Sequence, residues 1–534
     1  MSVADVLGEV GLPRPMRELA AIDWDVIVVG GGHNGLTCAA YLARAGLSVL
    51  VLERAQRLGG ACTLERPFPD QRYVVSPCAY VVGLLDQLVI DELQLTQRGL
   101  RVFVADPNLW APFADGSSFA QWADPARTDA SLCALGVSER DRAGYWAYEE
   151  VFDEMRRRLR CGTRDTWLGD APQRDELEAL LHDDWMNHIL FDASIAEVLA
   201  HYIDDARLHD ALFGQAVIGA YAGPHDHGTA SVKLMHYQGD LEGQGSVWGY
   251  VEGGMGMISF AIADAAVEAG AVLTTGVEVA AIEPGDGVVL AGGDRLRART
   301  VVCNADPRRL LAMTEGSGTV PTHYRTRLEA WKMRSPVVKF NAALSRLPTF
   351  PAAEGATWPF RSMITVGRGM EASQRAFERC EAGIPDVAFG EVYFQTGFDP
   401  TPAPDGKHLM SVFAQYAPYA LADGTWDTRR DEVGQQFVDL IATVAPDIAD
   451  CIEYAEVLGG PDIESRVGLT GGHIFQGETM PDQMWEHRLS ARTPIDHVYL
   501  CGAATHPAGS VIALNGRNAA DAVLRDRGIG GLGN

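Results

Sequence analysis

"DVIVVGGGHNGLTCAAYLARAGLSVLVLER", residues 25–54, decides the fold. Val26 to Val29 is an unbroken apolar, β-branched run, the pattern of a parallel strand buried on both faces. Gly30, Gly32 and Gly35 follow as G-x-G-x-x-G. The first glycine permits a tight turn, the second lets backbone approach a pyrophosphate, and the third lets a helix pack close to the strand. Residues 33–45 read as that helix, closed by Gly46. A second strand, Ser48 to Leu52, delivers Glu53 about 20 residues on, where a ribose-binding acid is expected. The pyrophosphate would sit over the helix N-terminus, where free N–H groups and the positive dipole end favour an anion. Strand, glycines, helix, strand and acid together make one βαβ unit that binds a dinucleotide. An acid at 53 argues for a free ribose 2′-OH, which FAD and NAD both carry, so this motif does not choose between them.

Outward from this unit, 534 residues are too many for one ordinary domain, and two lobes are expected. A net charge of −27 with only four lysines (Lys233, Lys332, Lys339, Lys407) argues against a nucleic-acid surface and for an acidic, cytoplasmic protein. No segment has the apolar length of a bilayer span, although peripheral membrane contact stays open. The first 23 residues carry Asp5, Glu9 and Glu18 and read neither as a secretory signal nor as a transit peptide. The nine cysteines include no C-x-x-C and read as reduced thiols packed as small hydrophobes. "GPHDHG" (223–228), with His236 nearby, has no third ligand at familiar spacing, so no metal is expected. Trp110, Phe113, Phe119 and Trp122 read as core of a hairpin rather than as a greasy entrance.

Along the chain, "ERAQRLGG" brings Gly59 and Gly60, a second tight approach of backbone to something. Residues 101–124 read as strands with "ADGS" (114–117) as a turn. From about 138 the period becomes helical: Tyr145, Tyr148, Phe152, Met155 and Leu159 share a face, and Ser194 with Glu197 forms a capping-box pattern. "VEGGMGMISFAIADAAVEAGAVLTTGVEVAAI" (251–282) repeats glycine turn, helix and strand, and 297–307 closes with a buried strand. Residues 335–345 and 387–397 alternate like sheet strands, and 425–445 is amphipathic helix. With no tandem repeat and no long linker, the lobes must be interleaved.

"HVYLCGAATHPAGSVIALNGRNAADAVL" (497–524) chooses the cofactor. A strand, a glycine exit and a helix opening at Gly516 to Asn518, so late in the chain, suit a group that crosses the whole domain. FAD does this, and a helix N-terminus aimed at its ring would stabilise the anionic reduced form.

"VVGGGHNGL", "GYVEGGMG", "GLTGGHIFQGE" and "VYLCGAATHPAG" together resemble the phytoene desaturase type of flavin oxidoreductase, within the amine-oxidase-like superfamily, and in it the subgroup called pyridine nucleotide-disulfide oxidoreductase domain-containing protein 2. The name of that subgroup implies a disulfide chemistry for which this sequence shows no cysteine pair. The resemblance implies an α/β, two-lobed architecture. A Rossmann-like FAD-binding domain (24–98, 244–314 and 488–527) would be interleaved with a substrate domain of mixed sheet and helices (99–243 and 315–487), flanked by an N-terminal extension (1–23) and a flexible tail (528–534). It implies FAD contacts at Gly30, Gly32, His33, Asn34, Gly35, Glu53, Arg54, Gly59 and Gly60, at Val279 against adenine, and at Gly502, Ala503, Val511 and Asn518 at the ring end. Relatives act on long apolar polyenes and isoprenoids, so the expected substrate is a largely apolar small molecule, with oxygen or a quinone as electron acceptor. In "HPAGSVIALNG", Ala508, Ser510 and Leu514 stand where glycine or proline is common in the family.

For chemistry, His506 is the leading candidate for substrate contact or proton transfer. Lys339 either faces the flavin or, as strand lysines more often do, faces solvent. His473 and Glu478 either line the cavity or satisfy a turn. The expected activity is FAD-dependent desaturation, oxidation or isomerisation of an apolar small molecule such as a polyene or isoprenoid, by hydride transfer to the flavin. The alternatives are amine oxidation, or a scaffold that has abandoned catalysis, as the Rab GDP-dissociation inhibitors have.

Overall fold

The computed structural model describes residues 2–533. Its first sheet places Val272–Thr274, Val49–Leu52, Asp23–Val29, Arg295–Cys303 and Val498–Leu500 side by side in parallel, with Gly287–Leu290 and Val279–Glu283 added as an antiparallel meander. Val26, Ile27 and Val28 are fully buried, as their unbroken apolar run requires. Val29 pairs with Cys303 and with Leu52, and Cys303 with Leu500, so these strands end at one level. In an open parallel sheet, ligands bind beyond such carboxyl ends.

The helix His33–Arg44 lies against this sheet because Gly35 has no side chain: a Cβ there would stand 2.2 Å from the Gly30 carbonyl oxygen. The last helix, Leu514–Asp526, packs on the same helix, with Gly516 against the backbone of Asn34 and Cys38. That is a correction to the sequence reading. The helix starts two residues earlier than expected, and Gly516 serves helix contact rather than a cofactor.

The second sheet runs Ile452–Leu458, Val337–Leu344, His408–Gln415, Phe389–Tyr393, Met363–Gly367, Leu109–Pro112, Ser118–Gln121. Val338, Phe340, Ala342 and Leu344 point to one face, where Phe340 stacks on Phe437 of the helix Trp426–Ala442. By the period of two, Lys339 and Asn341 point to the other face. That face is also covered, since every residue of Val337–Leu344 is buried. A helical insertion of seven helices between 125 and 237 packs beside it, built on Glu139–Arg160, whose Tyr145, Tyr148, Phe152, Met155 and Leu159 are fully buried. Ser194 caps Ile195–Tyr202 by accepting the Glu197 N–H.

Both chain ends are tied down. Residues 2–11 lie against Phe260, Asp264 and Thr275, and the expected flexible tail folds back: Leu532 N–H donates to Asp521, and Arg517 donates to the Gly533 carbonyl. No described helix is long and apolar enough to cross a membrane.

Candidate functional site

A cleft of about 350 Å³ opens at the carboxyl edge of the parallel sheet. Gly30, Gly32, His33, Asn34, Glu53, Arg54, Gly59, Gly60, Val279 and Ala503 all line it, which brings ten expected contacts to one place. Gly32 is the N-cap of the first helix and supplies no side chain, so the N–H groups of His33, Asn34 and Gly35 have no acceptor within the helix. They form the anion seat expected for a pyrophosphate. Gly59, with φ +112°, returns the chain against this turn by donating its N–H to the Gly31 carbonyl. A side chain there would collide with the Cys62 carbonyl at 2.4 Å.

Glu53 accepts from Gly31 N–H and from Ala55 N–H, both at 2.7 Å, one on each carboxylate oxygen. Burial raises its carboxyl, and these two bonds pull it back. Each oxygen keeps a lone pair for a ribose hydroxyl. Burial pushes His33 down to about 4, so it lines the seat as a neutral ring. These residues fit FAD, and Asn34 Oδ1, on the cleft wall, is a buried polar atom without a protein partner.

Three further residues in the cleft carried too weak a sequence signal to be singled out. Asn304 follows the strand Arg295–Cys303, donates to the Gly30 carbonyl, and is the side chain that Cβ atoms at Gly30, Gly32 and Gly35 would strike. Its place directly after a parallel strand was the usable clue. Arg309 lines the same cleft, and Gln476 bonds the Asn304 carbonyl and the Ala504 N–H.

Several expected roles change. Asn518 is taken away from the cleft because its amide is spent on Gly169 N–H and the Trp167 carbonyl, and Val511 does not line the cleft. Gly502 lies just beneath it, against Gln476 and the Asn304 carbonyl. Ala508, Ser510, Val511 and Ala513 hold positive φ of 153°, 85°, 57° and 69°, a strained turn made without glycine at those positions.

At neutral pH His506 is an uncharged ring whose Nδ1 is buried without a protein partner. Its Nε2 bonds the Thr166 carbonyl at 2.7 Å, and burial pushes its pKa down to about 3. It ties the 166 loop to the turn after the last strand. His506→Gln is expected to leave the rate of flavin reduction within about threefold, while losing about 1 kcal/mol of stability with its buried hydrogen bond. Stopped-flow reduction and thermal unfolding of the same variant check both. His473 is also neutral, pushed to about 3 by burial, and Glu478 satisfies a turn, its oxygens accepting from Tyr221 N–H and Thr479 N–H. Arg488, fully enclosed and pulled down to about 9 by burial, donates to the Phe475, Glu478 and Ala503 carbonyls and so locks that segment to the cleft.

His225 bonds Glu371 and His227 contacts the Asp192 carbonyl, so the two rings diverge. The aromatic hairpin is core at Trp110 and Phe119.

Lys339 is the main surprise. It is 2% exposed, not solvent-facing, because the sheet is covered on both sides. Its Nζ donates to Ser411 Oγ at 2.5 Å and lies 4.1 Å from the centre of the Tyr80 ring. Ser411 in turn donates to Asn341, which donates to Glu456. Burial pulls Lys339 down to about 7. Tyr80 also donates to Glu391 at 3.3 Å and Tyr393 to the same oxygen at 2.8 Å, and burial raises Glu391 to about 7. The loop that carries Tyr80 borders the cleft, since Ala79 N–H bonds the carbonyl of the cleft residue Ala61.

The family model described as flavin containing amine oxidoreductase matches residues 150–524, and that of an NAD(P)-binding Rossmann-like domain matches 28–83. Pyridine nucleotide-disulfide oxidoreductase domain-containing protein 2 of Rattus norvegicus is 31% identical, with 94% of each chain covered. The phytoene desaturase of Fusarium fujikuroi is 24% identical over 96% of this chain and 91% of its own. A solved triple mutant of putrescine oxidase has the same fold, with a TM-score of 0.62 at 17% identity, covering 94% of this chain and 99% of its own. All nine cysteines are free.

Proposed function

Since the chain belongs to the flavin containing amine oxidoreductases and its cofactor is FAD, we propose that it dehydrogenates a largely apolar small molecule. FAD, when bound, supplies the hydride acceptor. The chain's own residues position, dry and titrate. Gly30, Gly32, Gly59 and Gly60 give the cofactor backbone to lie on, and Glu53 takes its ribose. The loop 78–80 edges the ring end, and Lys339 behind it holds or takes a proton at Nζ near neutral pH. The observation that carries this reading is that buried lysine, desolvated and oriented by Ser411 under Tyr80, in the loop whose Ala79 N–H bonds the cleft residue Ala61. Val75, Val251, Met255, Leu409 and Met410 wall a recess next to Tyr80 and supply the apolar side. Oxygen or a quinone would then take the electrons. A pure scaffold has no use for a complete phosphate seat together with a buried lysine of this kind, and amine oxidation stands as the second reading through the shared fold.

The test is an anaerobic one. The purified yellow protein is mixed with isoprenoid alkenes, with aliphatic alcohols and with aliphatic amines, and bleaching of the flavin band is followed. Bleaching by alkenes or alcohols is the expected result. Bleaching by amines alone would move the assignment to amine oxidation, and a folded protein that refuses FAD would end both.

A further inference from the structure

Outside the flavin cleft, the helical insertion and the second sheet enclose a polar recess of about 20 Å³, room for one or two waters or one small functional group. Its centre is Lys233, on the helix Thr229–Tyr237 and 6% exposed. Among the described residues Nζ makes one hydrogen bond, 3.2 Å to Gln215 Oε1, which leaves two N–H groups unused. Glu149 and Glu391 act on it only through space, and neither forms an ion pair with it. Glu149 Oε2 is already taken by Gln121 at 2.9 Å and Tyr237 at 3.0 Å. Aromatic rings stand nearby, with Tyr237 at 5.1 Å and Phe152 at 5.9 Å from Nζ. The hydroxyl of Tyr148, whose ring centre is 6.0 Å from Nζ, is buried without a partner. A desolvated ammonium with unused donors is expensive to keep, and buried charges are ordinarily paired.

We infer that this recess receives the carboxylate of the substrate, with Lys233 as its counter-ion. A carboxylate suits the site better than a phosphate: the space admits one small group, and Glu149 and Glu391 would repel a dianion. Glu391 connects the two sites. It lines this recess, and its Oε2 accepts from Tyr80, the residue that overlies Lys339. A molecule anchored at Lys233 and reaching the flavin end would have to pass Glu391, apolar along its length and acidic at one terminus. This specificity rests on the proposed dehydrogenase reading, because it names that enzyme's substrate class. Burial, which pulls Lys233 downward and Glu391 upward, tends to neutralise both, and an incoming carboxylate would hold the lysine charged.

The test uses the purified flavoprotein and two probes of equal length, octanoate and octanamide, titrated calorimetrically and followed by the flavin spectrum. Octanoate is expected to bind about 30-fold more tightly than octanamide, the difference made by a charge-assisted bond to a buried ammonium. In Lys233→Met that preference is expected to vanish, while Lys233→Arg retains part of it. Equal binding of acid and amide by the unaltered protein, or no heat with octanoate, overturns the inference without any variant having to fold. Because the calorimetric readout needs no turnover, a protein that binds octanoate selectively yet is bleached by no substrate would retain the acid site and lose the proposed reaction.

Discussion

Gly35→Ala is expected to yield a protein that neither retains FAD nor reaches its normal melting temperature. The added Cβ would lie 2.2 Å from the Gly30 carbonyl oxygen and 3.1 Å from Asn304 Nδ2. The first neighbour is backbone, in the turn that ends the central strand, so no flexible side chain can swing clear. The helix must retreat from the sheet, and overpacking of this kind costs about 3 kcal/mol. The retreat also lifts the N–H groups of His33 and Asn34 from the pyrophosphate, so cofactor stabilisation of the folded state by mass action is lost as well. Gly292→Ala is the control, because nothing lies within 4 Å of a Cβ there. Thermal unfolding with and without added FAD, together with the flavin content of the purified chain, separates the two losses. If Gly35→Ala carries its full complement of FAD, the tight packing is not what builds the seat.

That seat was the most legible part of the molecule, because its determinants are local. A strand, a turn, a helix and an acid within one βαβ unit each leave a mark on the sequence. The late strand Val498–Leu500 was legible for the same reason. The chemistry was not. Lys339 lies in a strand whose alternation tells which face it points to but not whether that face is covered, and the cover over its Nζ comes from Tyr80, far away in sequence. Tyr80, Glu391, Tyr393 and Ser411 reach it from three separate stretches, so no spacing rule joins them. His506 shows a different limit: its place beside a cofactor turn suggests a proton carrier, while its bond to Thr166, 340 residues earlier, and the burial that lowers its basicity are visible only in the fold. Lys233 drew notice only as one lysine of four, and its isolation is visible only in three dimensions.

Lys339→Met is expected to keep its FAD and its fold and to slow flavin reduction by substrate by about 10²–10³, the usual contribution of one positioned proton-transfer group. The pH profile gives the sharper test. Lys339 falls from 10.5 to about 7 chiefly through burial, against the upward pull of Cys78, Glu456 and Glu391. Glu391 rises from 4.5 to about 7, held between Lys339 and Lys233 and bonded by Tyr80 and Tyr393. The pair therefore titrates together, and the measured midpoint belongs to both. If the neutral amine takes the proton, reduction accelerates as pH rises through about 7, and the methionine variant loses that limb. Stability also rises with pH, but over the range above the folded value. Below pH 7 the folded chain carries a buried ammonium, and its cost is relieved only as pH climbs from the folded value toward 10.5, where the unfolded chain still holds the proton. Methionine removes that cost, so Lys339→Met should melt no lower than the parent at pH 6, and its relative advantage should shrink as pH rises from about 7 toward 10.5. A variant that is slow and also unstable at pH 6 would assign Lys339 to the framework, whereas a slow and stable one places it in the chemistry, since loss of a framework residue would lower the melting temperature together with the rate.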